Sequence, residues 1–276
     1  MWTTLLDTHW LGFDVELDAY GTFLNAGAVL GVLLALWLAH RRGLPVRRSA
    51  AVLLLAAAAI PVGARALVVT TDPGRFAADA SLIFRPRLVD FALYGGLMAA
   101  VVVGPLAARA LRVDLWRLAD AAAPGIALGI AMARFGCFCE GCCFGVASDG
   151  PLAVTFPLAS PAHAAQLIEG TAGLLGPVTP VLPTQLFEAA GALACGVLVL
   201  GLLRVQKLPK GVAFLALAGG FTIVRLGVYP LRWVEPEFIA PSWTYPVMYV
   251  VLLAVCLALL ATRLVPRRAA AVAGRR

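Results

Sequence analysis

Seven long apolar runs, separated by short polar connections, set the pattern of this chain. They lie at roughly 21–40, 49–71, 88–111, 118–138, 184–203, 211–229 and 244–263, and Ala, Leu and Val dominate them. A helix rises 1.5 Å per residue, so about 20 residues cross the hydrocarbon core of a bilayer. Each run therefore predicts a membrane-spanning helix, and the fold class predicted is an all-α integral membrane protein with about seven transmembrane helices. The run 118–138 carries the weakest signal, being rich in Ala and Gly and containing Pro124. The connection 140–182 has no Lys or Arg and is rich in Gly, Pro and Ser. It predicts an outer-face loop that packs on or dips into the outer leaflet. The expected organisation is a single polytopic domain over 1–266, followed by a basic, disordered tail over 267–276.

Composition sharpens this picture. The 276 residues are 61% hydrophobic and 13% charged, whereas a soluble domain carries roughly 25% charged residues. A soluble fold lacks the polar residues to cover such a chain. The net charge of +7 does not mark a nucleic-acid surface, because the basic residues sit in short clusters at the ends of apolar runs. One alternating set of connections, together with the C-terminal tail, holds 15 Lys and Arg; the other holds Arg75, Arg85, Arg87 and Arg232. Basic loops stay in the cytoplasm, so this bias predicts a cytoplasmic C-terminus and, with an odd number of spans, a periplasmic N-terminus. Residues 1–20 contain no Lys or Arg and carry Asp7, Asp14, Glu16 and Asp18, unlike the basic start of a cleavable signal.

Three basic residues remain, and they fall within spans or near their ends: Arg65, Arg134 and Arg225. An arginine in the hydrocarbon region costs about 2.5 kcal/mol or more, so it faces a cavity or a partner. Its planar fork suits phosphate. An anionic headgroup site is one reading; snorkelling, or pairing with Asp90, Asp120 or Glu188, is the other. Cys137, Cys139, Cys142 and Cys143 crowd the stretch just after Arg134. Packing of small side chains, a disulfide, a metal or redox site, and direct catalysis all remain open for them; Cys139 and Cys142 have C-x-x-C spacing, but no second Cys/His group accompanies them. Gly136, Gly141 and Gly145 point to irregular backbone, which is tolerated at membrane depth where it lines a cavity or is buried in protein. Tyr94-Gly95-Gly96 permits a close helix approach. Gln185 and Glu188 share one face of a helix beginning after Pro183, where they either buttress Arg134 or cap the helix.

In order and spacing, these residues resemble the prolipoprotein diacylglyceryl transferases of the bacterial inner membrane. The resemblance runs from about residue 18 to 250 and rests on Tyr20, on Gly63-Ala64-Arg65, and on Tyr94-Gly95-Gly96. It continues through Asp120, Pro124, Arg134-Phe135-Gly136, Glu140, Gly145 and Phe156-Pro157, and ends with Pro183 to Glu188, Arg225 and Arg232. It implies a seven-span enzyme that moves the diacylglyceryl group of phosphatidylglycerol onto the thiol of a lipobox cysteine in a prolipoprotein signal peptide, releasing glycerol phosphate. Tyr94, Arg134 and Arg225 take the catalytic positions. Tyr20, Arg65, Cys137, Glu140, Gly145, Gln185, Glu188 and Arg232 fall to substrate binding. No metal and no cofactor beyond the lipid substrate is expected.

The chain departs from the family pattern at four places. Tyr94 stands where the family has a His, and Leu182 replaces another. Cys137 replaces an Asn, and Tyr229 replaces a Glu. A neutral His accepts a thiol proton near pH 7, whereas Tyr titrates near 10. Two alternatives therefore stay open: a transferase with a different acceptor, and a non-catalytic homologue that binds or senses anionic phospholipid.

Overall fold

The computed structural model describes residues 4–10, 13–79, 81–82, 93–205, 207–234 and 243–264. The acidic N-terminal stretch forms an antiparallel hairpin of β1 (Thr4–Trp10) and β2 (Phe13–Asp18), an element the hydropathy pattern did not predict. Asp18 ends the hairpin and caps the next helix, accepting from the Gly21 N–H at 2.5 Å. An aspartate at this position satisfies a backbone donor with no partner inside the helix, and it places Tyr20 in the first turn of α1 (Ala19–Arg41).

Six helices are long and apolar enough to cross a membrane. They are α1, α2 (Val46–Thr71), α5 (Leu115–Glu140), α7 (Thr184–Leu202), α8 (Val212–Val228, continued by a 3-10 turn over Tyr229–Leu231) and α9 (Thr244–Leu264). A seventh apolar helix, α4 (Leu93–Ala110), is shorter; its expected start at 88 lies outside the described residues, as does the tail 267–276. Each of the seven expected spans thus meets a helix. Two short helices, α3 (Pro73–Ala78) and α6 (Pro161–Ile168), lie in the connections. Val62, Val101 and Val197 are more than two-thirds exposed, as side chains facing lipid must be.

The chain divides into two compact units, residues 35–121 and residues 1–34 with 122–276. In the first, α2 and α4 meet closely where Gly63 and Gly95 lie back to back. Ala39, Val52, Ala108, Val113 and Leu118 form its core. In the second, Gly27 and Gly31 of α1 face Gly125 and Gly129 of α5, and a Cβ on Gly125 would overlap the Gly31 carbonyl. Such pairs of glycines four apart let membrane helices touch through their backbones. Ala123 and Ala127 of α5 pack with Cys195 and Val199 of α7 and with Ala213 and Leu217 of α8; Ala131 packs with Ala189 and Ala192. The weak hydropathy of α5 follows from this: its small residues are chosen for close packing, and it is the most buried candidate span.

Residues 141–183 form a folded cap with a core of Phe144, Phe156, Ala162, Ala165 and Val181. Its irregular backbone is satisfied by cross-links to neighbouring segments. Gly145 N–H donates to Leu182 O at 2.8 Å and Val146 N–H to Leu231 O at 2.9 Å, while Trp233 N–H donates to Phe144 O at 3.1 Å. This meets the requirement that buried backbone polar groups be paired.

Candidate functional site

Helix α5 ends in a turn that its own sequence encodes. Gly141 adopts a φ of 80°, which glycine tolerates without steric cost. Its N–H donates to Phe138 O at 3.2 Å, and the Cys142 N–H donates to Cys137 O at 3.1 Å. This pair of bonds is the Schellman ending of a helix, in which the residue after the left-handed glycine returns to the helix's last full turn. Both positions so brought together are cysteines. Cys143 follows with a φ of 60°, uncommon for a residue with a side chain and a mark of a constrained site.

The first turn of α7 holds this cysteine turn from the other side. Thr184 Oγ1 donates to Cys143 O at 2.9 Å, and Gln185 Nε2 donates to Cys142 O at 2.7 Å. One helical turn further on is Glu188, 2% exposed. Three guanidinium groups converge on its carboxylate: Arg134 Nε at 2.6 Å, Arg225 Nη1 at 2.5 Å and Arg232 Nη1 at 3.7 Å. They come from α5, from the last turn of α8 and from the residue after the 3-10 turn. One carboxylate against three guanidinium groups leaves two net positive charges, with donors to spare. Arg134 also lies within electrostatic range of Cys137 and Cys143. Arg225 donates through Nε (3.1 Å) and Nη2 (2.5 Å) to the Tyr249 hydroxyl, with its guanidinium 5.3 Å from that ring's centroid. Gly145 bridges to Arg232 in antiparallel fashion, and a Cβ there would come within 2.5 Å of Leu231 O. Glycine at 145 thus lets the segment carrying Arg232 approach.

The sulfurs of Cys137, Cys142 and Cys143 lie within 4.8 Å of one another. The Cys143 thiol is held below its ordinary range, first by hydrogen bonds from Cys137 and Cys142, then by the charges of Arg232 and Arg134. Cys142 is pushed the opposite way by its hydrogen bonds to Cys137 and Cys143.

Of the residues singled out in the sequence, Arg134, Arg225, Arg232, Glu188, Gln185, Cys137 and Gly145 meet here. Tyr20 is half-buried and within electrostatic range of the three cysteines and Arg134; Gly136 packs against its backbone. Glu140 closes α5 and is half-buried. Arg65 belongs to the other unit, where it hydrogen-bonds Leu82 O and lies over the Phe76 ring. The side chain of Tyr94 and all of Asp90 lie outside the described residues. Asp120 is buried, in the same unit as Arg65. Cys139, half of the C-x-x-C pair, is not in the sulfur trio. His163 is committed elsewhere: its Nδ1 accepts from Ala159 N–H, so Nε2 carries the proton and donates to Gly173 O at 3.1 Å. Sequence reading missed Tyr249 and gave Thr184, inside the Pro183–Glu188 motif, no role of its own. The signal for Tyr249 was a second tyrosine four residues after Tyr245 at the start of the last span.

The geometry can be set beside known proteins. The family model for prolipoprotein diacylglyceryl transferase matches residues 10–267. A phosphatidylglycerol–prolipoprotein diacylglyceryl transferase of Rhodopirellula baltica is 34% identical over 61% of this chain, which spans 35% of that protein's length. The enzyme of the same name in Bacillus cytotoxicus is 32% identical over 77% of this chain and 76% of its own length. A Clostridium perfringens transferase, the second of that name, is 27% identical over 68% of each chain. From the match over nearly its whole length, this chain belongs to the prolipoprotein diacylglyceryl transferase family.

Proposed function

We propose that this protein transfers the diacylglyceryl group of phosphatidylglycerol to the cysteine thiol of a lipobox-bearing prolipoprotein, as a multi-pass enzyme of the bacterial cytoplasmic membrane. The observation that carries the reading is the group of three guanidinium groups on the single carboxylate of Glu188. Phosphatidylglycerol reaches the site with one negative charge. When the acceptor sulfur attacks the diacylglyceryl carbon, the C–O bond breaks and its electron pair stays on the phosphate, which leaves as glycerol phosphate with a second charge. A site of two net positive charges favours that state over the bound lipid, and this differential stabilisation is what speeds a reaction.

Roles follow from position. Arg134 and Arg225 grip the phosphate oxygens, with Arg232 completing the cluster, while Glu188 fixes their directions. Tyr249 orients Arg225 by accepting two of its donors. Gln185 and Thr184 hold the cysteine turn at the edge of the site. Tyr20 and Gly145 shape it, and Glu140 sits at its rim. Displacement at carbon needs no organic cofactor. The excess of basic residues on one set of connections supports a periplasmic N-terminus and a cytoplasmic C-terminus.

The test is transfer from labelled phosphatidylglycerol to a lipobox peptide by purified protein in lipid nanodiscs. Arg134→Ala is expected to lose about a hundredfold in rate, roughly 2.7 kcal/mol, as removal of a preorganised donor does. Absence of transfer under conditions where a relative from Bacillus works would refute the reading.

A further inference from the structure

Three thiols meet at one point beside the arginine cluster, and nothing in the chemistry of the headgroup calls for them. Cys137 is buried, and Cys142 and Cys143 are only partly covered. Their sulfurs lie within 4.8 Å of one another. Metal–thiolate bonds of about 2.3 Å place sulfurs about 3.8 Å apart around a tetrahedral ion. Closing the trio on an ion is therefore a movement of about 1 Å at most.

The cluster is also built. The Schellman turn fixes Cys137 against Cys142. Cys143 has a left-handed backbone and brings the third thiol within 4.8 Å of the other two, and Thr184 and Gln185 hold the carbonyls of Cys143 and Cys142 from α7. An all-sulfur set selects soft ions, zinc among them, and three protein ligands leave a fourth position for an exogenous one.

We propose that Cys137, Cys142 and Cys143 hold a soft, thiolate-preferring ion such as zinc, whose fourth position takes the acceptor thiol for transfer. This rests on the transferase reading above for its second half; the ion site stands on the sulfurs alone. A coordinated thiol is deprotonated outright, its proton passing to solvent. The sulfur then forms the new S–C bond to the diacylglyceryl carbon as the C–O bond to phosphate breaks, and the phosphate keeps that electron pair. His163 is tied to backbone groups at both nitrogens and is not available to take that proton.

The experiment uses the full chain, reduced and stripped of metal in detergent, titrated with cadmium while the ultraviolet thiolate-to-cadmium band is followed. The expected result is one ion per chain. Cys137→Ser, Cys142→Ser and Cys143→Ser should each weaken binding at least tenfold, while Cys139→Ser leaves it unchanged; thermal unfolding separates lost binding from lost folding. A lipobox cysteine peptide should shift the band and its serine counterpart should not, a readout that needs no turnover. Cadmium-independent absorbance with three freely titrating thiols, or a disulfide among them in freshly isolated protein, overturns the site. An ion that binds while the cysteine peptide leaves the band unmoved overturns the acceptor role, as does full transfer by metal-free protein. If the peptide shifts the band but no protein form transfers lipid, the transferase reading fails and the ion site stands.

Discussion

Replacing Glu188 with Gln tests the arrangement of the site most directly. The carboxylate is 2% exposed and is met by Arg134 at 2.6 Å, Arg225 at 2.5 Å and Arg232 at 3.7 Å. At an effective dielectric constant near 20, unit charges about 4 Å apart interact by about 4 kcal/mol. Removing one partner of a buried pair costs about 3–5 kcal/mol, because the other charge is left uncompensated. Glutamine keeps the volume and one acceptor oxygen, so the low end applies, about 3 kcal/mol, and three positive charges remain to repel one another. The assay is thermal unfolding of the detergent-solubilised protein followed by tryptophan fluorescence, with and without glycerol phosphate. The variant should unfold at a lower temperature. Glycerol phosphate should stabilise it more than the parent, since the anion takes the place of the missing carboxylate and a ligand stabilises only the state it binds. Adding Arg232→Gln should recover part of the loss by removing a surplus charge, a non-additivity expected of contacting residues. An unchanged unfolding temperature, together with no enhanced response to glycerol phosphate, would show that these guanidinium groups do not depend on Glu188.

Tyr249→Phe keeps the ring under Arg225 but deletes the hydroxyl that accepts from Nε and Nη2. Hydrogen bonds to a charged group contribute about 1.5–3 kcal/mol, so kcat/KM for lipid transfer should fall at least tenfold. Gly125→Ala places a methyl group into the Gly31 carbonyl; overpacking of this kind costs about 1–3 kcal/mol, visible as a lower unfolding temperature. The lowered Cys143 thiol predicts that its alkylation by iodoacetamide in metal-free protein stays fast below the ordinary thiol range of about 8.5. A free thiol instead slows about tenfold per pH unit below its pKa. Because the folded value is depressed, the thiolate's contribution to stability is present above the unfolded-state pKa and is lost as pH falls through the folded one. Peptide-resolved mass spectrometry at several pH values checks this.

How legible the molecule was differs from element to element. The spans were readable because lipid demands long apolar helices, whatever they pack against. Even α5, the weakest of them, left a mark, since the Ala and Gly that lower its hydropathy are the residues that let it sit at close quarters with α1, α7 and α8. The N-terminal hairpin was not readable from hydropathy, which is blind to pairing between short polar strands. At the site, a buried arginine announces itself in sequence by its cost, but its partner does not. Arg65, Arg134 and Arg225 stood out equally. Arg65 is engaged by Leu82 and Phe76 in one unit, while Arg232, counted with a polar connection, is the third cation on Glu188.

The sequence by itself therefore determined the class of fold, the positions of the spans, and the presence of costly cations and crowded cysteines. These follow from the bilayer as solvent and from local chain geometry, neither of which needs to know what lies across the fold. The C-x-x-C spacing drew Cys139 with Cys142, one reading among several; the helix-ending turn at Gly141 and the left-handed backbone at Cys143, both local, gather Cys137, Cys142 and Cys143. Only the tertiary structure decided which arginines share a carboxylate and which helix braces the cysteine turn. The reason is that a site is made by contacts between segments far apart in the chain, here α5, α7, α8, α9 and the cap, and no local pattern records which of them will meet.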